Sequence, residues 1–358
     1  MTKAYMILDL QFGSTGKGLL AGYLAKMRSP DVVVTAWGPN AGHTYIDSDG
    51  RHFIHRMLAN GIVSPNLKAV LIGPGSVIDL DALEQEVDSS LDLMAGRSLV
   101  IHPKAVIVTA KHRETETRNV KIGSTMKGTG AAVIERIERD PDNNPTAGVT
   151  IPADWTQRML NKGVNVFISE SMYRLRLTTA EMVQIEGAQG YSLSIYHGLY
   201  PYTTSRDVTP AQVMADCAIP FSMIPEVYGT LRTYPIRVAD RFDADGKKIG
   251  TSGPCYPDQK ELDWSDIGIE PELTTVTKLP RRIFGFSHQQ VEEAIFQCGV
   301  TKLFLNFTNY MWNDKVIDLM AEIESKGMAK IEWVGTGPAH DNVMSKIHWL
   351  SMVSGEQK

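Results

Sequence analysis

The stretch Gln11-Phe12-Gly13-Ser14-Thr15-Gly16-Lys17-Gly18 combines glycines, hydroxyls and a lysine in the order expected of a loop that opens a helix. At such a junction the first N–H groups of the helix lack acceptors and the helix dipole is positive, so an anion is favoured, with Lys17 adding charge. Phosphate fits that description. The stretch is not a Walker A loop, because position 11 is Gln where that motif needs Gly and position 18 is Gly where it needs Ser or Thr. Alone, it is also readable as a glycine turn beside a solvated lysine. A second loop, Trp37-Gly38-Pro39-Asn40-Ala41-Gly42-His43-Thr44, sets an imidazole among donors, which makes His43 a candidate general acid or stabiliser of developing negative charge. Gly123-Ser124-Thr125-Met126-Lys127-Gly128-Thr129-Gly130 offers hydroxyls on a mobile backbone, and Glu186-Gly187-Ala188-Gln189-Gly190 carries an amide able to read a base edge. Turns alone do not call for four such loops; nucleotide binding and phosphoryl transfer do.

These loops need elements to hold them. An apolar run at 4–12 has strand length, 19–27 has helical spacing and 31–37 reads as a second buried strand, which together make a βαβ unit. Further strand-like runs at 69–72, 98–101, 182–185, 302–306 and 330–334 alternate with helical stretches such as 80–91 and 287–297. The pattern predicts an α/β fold: a mainly parallel central sheet with helices on both faces, loop and helical insertions, and one domain over residues 1–358. Gly-, Pro- and Asp-rich stretches at 140–153 and 239–272 read as insertions beside a site. In open α/β sheets ligands sit at the carboxyl ends of the strands, where the glycine-rich loops would converge.

Bulk properties narrow the function classes. A formal charge of −5 gives no general affinity for polyanions, so nucleic acid is not expected as a partner. Cys217, Cys255 and Cys298 form no CxxC pair and have no His at ligand spacing, which predicts a reducing compartment and no structural zinc. The N-terminal residues run straight into a strand without a cleavable apolar segment, so a cytoplasmic protein without a membrane span is expected.

In order, the loops resemble adenylosuccinate synthetase, the family that joins aspartate to the 6-position of a purine nucleotide at the expense of a triphosphate. The resemblance covers residues 11–338. It rests on Gly13 to Gly18, Asn40-Ala41-Gly42-His43-Thr44, Ile122-Gly123-Ser124-Thr125, Glu186-Gly187-Ala188-Gln189-Gly190 and His197-Gly198-Leu199-Tyr200-Pro201-Tyr202-Thr203-Thr204-Ser205. Thr275-Val276-Thr277-Lys278-Leu279-Pro280-Arg281-Arg282 and Gly335-Thr336-Gly337-Pro338 continue it. In length and in its Pro-Arg-Arg loop the chain is closer to archaeal than to bacterial members.

The resemblance implies a P-loop-like ligase fold and a mechanism in which the purine 6-oxygen is phosphorylated before the aspartate amine displaces phosphate. It implies catalytic roles for Ser14, Lys17, His43 and Gln189, and Mg²⁺ near Ser14 and the Gly42 carbonyl. Asn40, Ser124, Thr125, Gln189 and Thr204 would contact the nucleotide monophosphate together with Ser14. Arg139 would reach the neighbouring site of a homodimer. The triphosphate would lie on Gly13, Ser14, Thr15, Gly16, Lys17 and Gly18, on Gly42, His43 and Thr44, and on Asn306, Thr308, Gly335 and Gly337. Thr275, Val276, Thr277, Arg281 and Arg282 would hold L-aspartate, where guanidinium forks suit its carboxylates.

Two departures refine the expectation. The family's glycine loop normally carries an aspartate that takes the purine N1 proton, and this chain has Ser14 there. A phage-encoded branch of the family carries Ser at this position and acts on dGMP, forming the 2-amino analogue of succinyl-deoxyadenylate, and the chain resembles that branch. For such a chain the setting is the host cytoplasm. A small hydroxyl frees volume for guanine's 2-amino group and can accept from it. Second, members that use GTP read guanine with Thr-Lys-Leu-Asp, where this chain has Leu305-Asn306-Phe307-Thr308 followed by Asn309. Without that carboxylate a guanine preference is not expected, and an Asn306 or Asn309 amide suits adenine, so ATP or dATP is predicted as donor. The alternatives are ordinary adenylosuccinate synthesis from IMP with GTP, and a non-catalytic nucleotide-binding regulator.

Overall fold

The computed structural model describes residues 2–119, 126–243, 245, 247–274, 279–326 and 329–355. The roles expected of Ser124, Thr125, Thr275, Val276 and Thr277 fall outside the described residues.

At the centre lies a ten-stranded sheet. In chain order its strands are β1 (Lys3–Asp9), β2 (Val32–Thr35), β3 (Ala69–Ile72), β4 (Ser98–Ile101), β5 (Asn165–Ile168), β6 (Met182–Gly190), β7 (Glu226–Arg232), β8 (Lys302–Asn306), β9 (Lys330–Gly335) and β10 (Val343–Ser345). Across the sheet they run β10-β9-β8-β7-β1-β6-β2-β3-β4-β5, every neighbouring pair parallel except β9 with β10. Parallel neighbours require crossovers, and helices such as α1 (Lys17–Arg28) provide them and cover the faces. Alternate residues therefore enter separate cores: Met6 and Leu8 pack with Leu303 and Leu305 on one side, and Tyr5 and Ile7 with Leu20 and Leu24 on the other. The expected α/β class and mainly parallel sheet are borne out.

Details differ for local physical reasons. The run at 4–12 leaves the strand at Asp9, whose carboxylate accepts the N–H groups of Gln11 and Gly13 and turns the chain. The helix expected over 80–91 is two helices, Leu80–Ser89 and Leu91–Met94, with the hydroxyl of the intervening Ser90 at 3.3 Å from His55 Nε2. Strands β5, β7 and β10 have no counterpart among the apolar runs. In β7 the charged ends Glu226 and Arg232 and the central Gly229 interrupt the pattern; Gly229 is there because Leu10 and Val300 occupy the space of a Cβ.

The segment between β7 and β8 adds a small antiparallel sheet, with Ile236–Arg237 and Glu261–Leu262 flanking Arg282–Phe284, packed on Ile236, Trp264 and Ile283. Among the described residues no helix is long and apolar enough to cross a membrane. Because β1 lies between β7 and β6, the glycine loop that follows β1 is flanked by the carboxyl ends of β6 and β2 on one side and of β7 and β8 on the other.

Candidate active site

Asp9 dictates the shape of the glycine loop. Its buried carboxylate accepts from Gln11 N at 2.9 Å, Gly13 N at 3.2 Å, Thr15 N at 3.3 Å and Thr15 Oγ1 at 2.5 Å. Lys17 Nζ lies 3.3 Å from the same carboxylate and donates to the Gln189 carbonyl at 2.9 Å. Gly13, Ser14 and Gly16 all take positive φ, and Gly16 tolerates no side chain because Asn306 Nδ2 stands 2.1 Å from where its Cβ would be. The N–H groups of Gly13 and Thr15 are thus committed to Asp9 instead of facing an anion. Anion affinity moves to the start of α1, where the first intrahelical bond is Leu20 N to Gly16 O and the preceding N–H groups have no intrahelical acceptor.

Gly18 brings the second loop in. A Cβ there would stand 2.6 Å from the Thr44 carbonyl, so only glycine lets α1 press against the hairpin His43–Ile46/His52–His55. His43 stacks on Trp37 with ring centres 4.0 Å apart, while Trp37 Nε1 donates to the Glu186 carbonyl at 2.8 Å. Burial first, then the charges of Lys17 and His55, hold His43 well below the usual imidazole range. The ring is therefore neutral near pH 7, with Nε2 buried and without a partner among the described residues. Gln189 sits at φ 64° where the β1–β6 register slips between Glu186 and Gly190, which turns its half-buried side chain out of the strand pattern. Glu186 itself faces away from the loop: it accepts from Asn60 N, Gly61 N and Gln184 Nε2, and burial pushes it up to about 7. The side chains of Asn40 and Thr204 are half-buried, and neither they nor the exposed hydroxyl of Ser14 have a hydrogen-bond partner among the described residues.

Toward β7 and β8 the side chains are engaged. Asn306 is buried, with Nδ2 donating to Thr15 O at 3.3 Å and Oδ1 accepting from Phe307 N at 2.8 Å, and it is wedged between Gly16 and Gly335. Thr308, also buried, donates to the Gly335 carbonyl at 3.0 Å. Gly337 packs against Asn342. Asn309 is exposed. Arg282 forks onto Glu261 at 2.6 and 2.7 Å and donates to the Gly253 carbonyl at 2.7 Å, whereas the half-buried Arg281 guanidinium has no hydrogen-bond partner among the described residues.

A glycine loop led by a strand-end carboxylate, a neutral stacked imidazole and an arginine with no hydrogen-bond partner among the described residues are groups whose chemistry suits phosphoryl transfer and carboxylate binding. Residues 6–142 and 153–327 match the adenylosuccinate synthetase family. The chain belongs to the adenylosuccinate synthetase family. It is 51% identical over 330 residues to the N6-succino-2-amino-2'-deoxyadenylate synthase of Salmonella phage PMBT28, covering 90% of this chain and 89% of that one. To the synthase of the same name from Acinetobacter phage SH-Ab 15497 it is 49% identical over 355 residues, covering 94% and 92%. Among solved structures, the Cyanophage S-2L succinoaminodeoxyadenylate synthetase, bound to dGMP and dATP as an energy donor, superposes with a TM-score of 0.86 at 43% identity, covering 96% of this chain and 95% of that one. Like the family, the chain is a carbon–nitrogen ligase of purine nucleotide metabolism.

For an adenylosuccinate synthetase family member the structure redraws part of the expected site. Lys17, His43 and Gln189 meet at the glycine loop, Gln189 through its carbonyl. Asn306 spends one amide N–H on the Thr15 carbonyl and one acceptor site on Phe307 N, and the Thr308 hydroxyl donates to the Gly335 carbonyl, so both are already tied into the loops around them. The Arg282 fork is engaged within the small antiparallel sheet, on Glu261 and the Gly253 carbonyl. Asp9, Arg232 and Glu272 escaped the sequence reading. A lone Asp inside the apolar run at 4–12 reads as part of the strand, and only a count of the loop N–H groups left without acceptors points to it.

Proposed function

We propose that this ligase joins L-aspartate to C6 of dGMP, with ATP or dATP as phosphoryl donor, and releases N6-succino-2-amino-2'-deoxyadenylate, ADP or dADP, and phosphate. The observation that carries the substrate is Ser14, whose hydroxyl stands exposed and unpartnered among the described residues at the place where the family is expected to keep a carboxylate. A small hydroxyl leaves room for guanine's 2-amino group and can accept from it. Phage relatives named for this product at 42–51% identity, and a solved relative holding dGMP and dATP, support the same pair of nucleotides.

The purine 6-oxygen leaves poorly, so the donor's γ-phosphoryl group passes to it first and the aspartate amine then displaces phosphate from C6. Lys17 and the open N–H groups at the start of α1 steady the charge on the transferring group. His43, kept neutral, donates from Nε2 to the donor phosphates or the developing oxyanion, and its neutral protonation state puts no like charge beside Lys17. Asn40, Gln189 and Thr204 supply free amides and a hydroxyl for the monophosphate, with Ser124 and Thr125. Arg281 takes a carboxylate of aspartate. On the donor side the exposed Asn309 amide meets the base, and residues 307–313 after β8 include no carboxylate to select guanine.

A Mg²⁺ ion that keeps several waters needs only one or two protein oxygens. The Ser14 hydroxyl and the carbonyl of the exposed Gly42, with nothing nearer than 3.9 Å to its Cβ position, fit that demand, whereas Asp9 is saturated by the loop. When bound there the ion neutralises charge on the transferring phosphoryl group. A second copy of the chain completes the site through Arg139, which lies exposed at the end of helix Thr129–Glu138. That helix leaves Ile134 and Ile137 59% and 65% exposed, an apolar face for the partner to cover. The work is done in the cytoplasm of a phage-infected host cell.

Mass spectrometry of products from parallel incubations with Mg²⁺, aspartate and ATP, one with dGMP and one with IMP, tests the assignment. A succinylated product from dGMP is expected; product from IMP alone returns the chain to ordinary adenylosuccinate synthesis, and none from either removes the catalytic reading.

A further inference from the structure

Between the glycine loop and the segment after β8 lies a charge pair that the reaction scheme above does not use. Arg232, at the end of β7, has no exposed surface. Gln11 fixes its backbone, accepting from Arg232 N at 2.9 Å and donating to Arg232 O at 3.2 Å. The guanidinium donates through Nη1 to the Ser14 carbonyl at 3.1 Å, lies 3.9 Å from the centre of the Phe307 ring and forks onto Glu272, with Nη2–Oε1 2.5 Å and Nη1–Oε2 3.4 Å. A charge buried this fully requires a compensating partner, and Glu272 is the carboxylate it bonds among the described residues. Glu272 also closes a hairpin. Its carbonyl accepts from Arg281 N at 2.8 Å, Thr274 N donates to Leu279 O at 2.9 Å, and Leu273 bridges Pro280.

We propose that Arg232 and Glu272 are positioning residues that fasten the hairpin carrying Arg281 to the glycine loop at Ser14. The inference rests on the reading of that hairpin as the aspartate site. By compensating Arg232, Glu272 also leaves Arg281, which feels both charges, as the guanidinium whose positive charge remains for an aspartate carboxylate. The two residues act unequally. Arg232 touches the glycine loop and the hairpin, so its loss disturbs both phosphoryl transfer and amine attack; Glu272 touches the hairpin and reaches the glycine loop only through Arg232, whose bonds to Gln11 and to the Ser14 carbonyl do not involve Glu272, so its loss acts chiefly on amine attack.

Two readouts separate these effects: steady-state KM for aspartate, and positional isotope exchange in ¹⁸O-labelled ATP with Mg²⁺ and dGMP but no aspartate, which reports phosphoryl transfer by itself. Glu272→Gln is expected to raise the aspartate KM at least about tenfold while exchange stays within about threefold of wild type. Arg232→Met is expected to slow exchange and turnover together by about tenfold or more. Glu272→Asp, which keeps the charge on a shorter arm, is expected to give an aspartate KM between wild type and Glu272→Gln. Thermal melts establish that each variant is folded at the assay temperature. An unchanged aspartate KM in Glu272→Gln, exchange falling in step with turnover in that variant, or Glu272→Asp no better than Glu272→Gln overturns the proposal. Wild-type turnover that does not need aspartate instead overturns the underlying reading, before any variant is compared.

Discussion

The two flanks of the glycine loop are built from the same residue types and use them differently. Toward β6 and β2, the imidazole of His43 leaves Nε2 unpartnered, and the side chains of Asn40, Gln189 and Thr204 have no partner among the described residues. Toward β7 and β8, the amide of Asn306, the hydroxyl of Thr308 and the fork of Arg232 are all engaged in holding one loop to the next. A buried amide bonded at both ends is held in one orientation, and turning it toward a base edge breaks those bonds, each worth about 1 kcal/mol net and more if a group is left unsatisfied. In the proposed reaction one flank would therefore recognise with free side chains. The other would recognise through the shape of the frame and through exposed Asn309 and half-buried Arg281.

Substitutions can break or sharpen this contrast. The largest effect is expected on the free flank: His43→Gln should lower kcat by about 10²–10³-fold with little change in melting temperature, as for removal of a donor to developing charge. A small kinetic effect with a large drop in melting temperature would make His43 part of the frame. Next, Arg281→Ala should cost about 2 kcal/mol, roughly thirtyfold in kcat/KM for aspartate. Arg282→Ala should instead lower the melting temperature and leave that ratio within about threefold. Equal kinetic losses at the two positions would erase the distinction.

Smaller effects follow on the donor side. Asn306→Ala should reduce stability by about 1–3 kcal/mol and change the ATP-to-GTP rate ratio by less than about threefold. Asn309→Ala should alter that ratio without moving the melt, and the reverse pattern would restore Asn306 as the base reader. The smallest signal is a titration. Burial holds His55 at about 4 against an ordinary 6.5, so its folded-state stabilisation is full above about pH 6.5 and is lost as pH falls toward 4, where the unfolded imidazole has taken a proton that the folded one refuses. Glu186, raised to about 7 from 4.5, works the opposite way over much of the same range, so a melt against pH reports their sum. Imidazole NMR resonances isolate the histidine: those of His55 should stay unshifted from about pH 8 to about pH 5, and a midpoint near 6.5 would show the hairpin open to water.

Much of the frame is legible along the chain. The runs at 69–72, 98–101 and 302–306 coincide with β3, β4 and β8 because strands buried on both faces are unbroken apolar segments. The glycine loop is legible for a related reason, since its shape needs glycine where φ is positive and a neighbour presses close. Legibility fails where partners are distant. Nothing adjacent in sequence separates Arg281 from Arg282, but the second opens the strand Arg282–Phe284 and its guanidinium bonds Glu261 and the Gly253 carbonyl, while the first lies just outside it. Arg232 was hidden because its strand carries Gly229 and charged ends, so the apolar pattern that marks a strand is absent.

The amino-acid order by itself determined the α/β class, the glycine loop at the end of the first strand, the family, the serine in place of a carboxylate, and the missing acid after residue 305. Those are properties of residue type and spacing, which local geometry and hydrophobic periodicity translate directly. Tertiary structure alone decided which of the site's polar groups are free. Asn306 is consumed by a carbonyl 291 positions away and Arg232 is fixed by a glutamine 221 positions away. Hydrogen-bonding capacity is finite and is settled by whichever groups the fold brings within 3 Å or so, so availability is a property of the folded molecule.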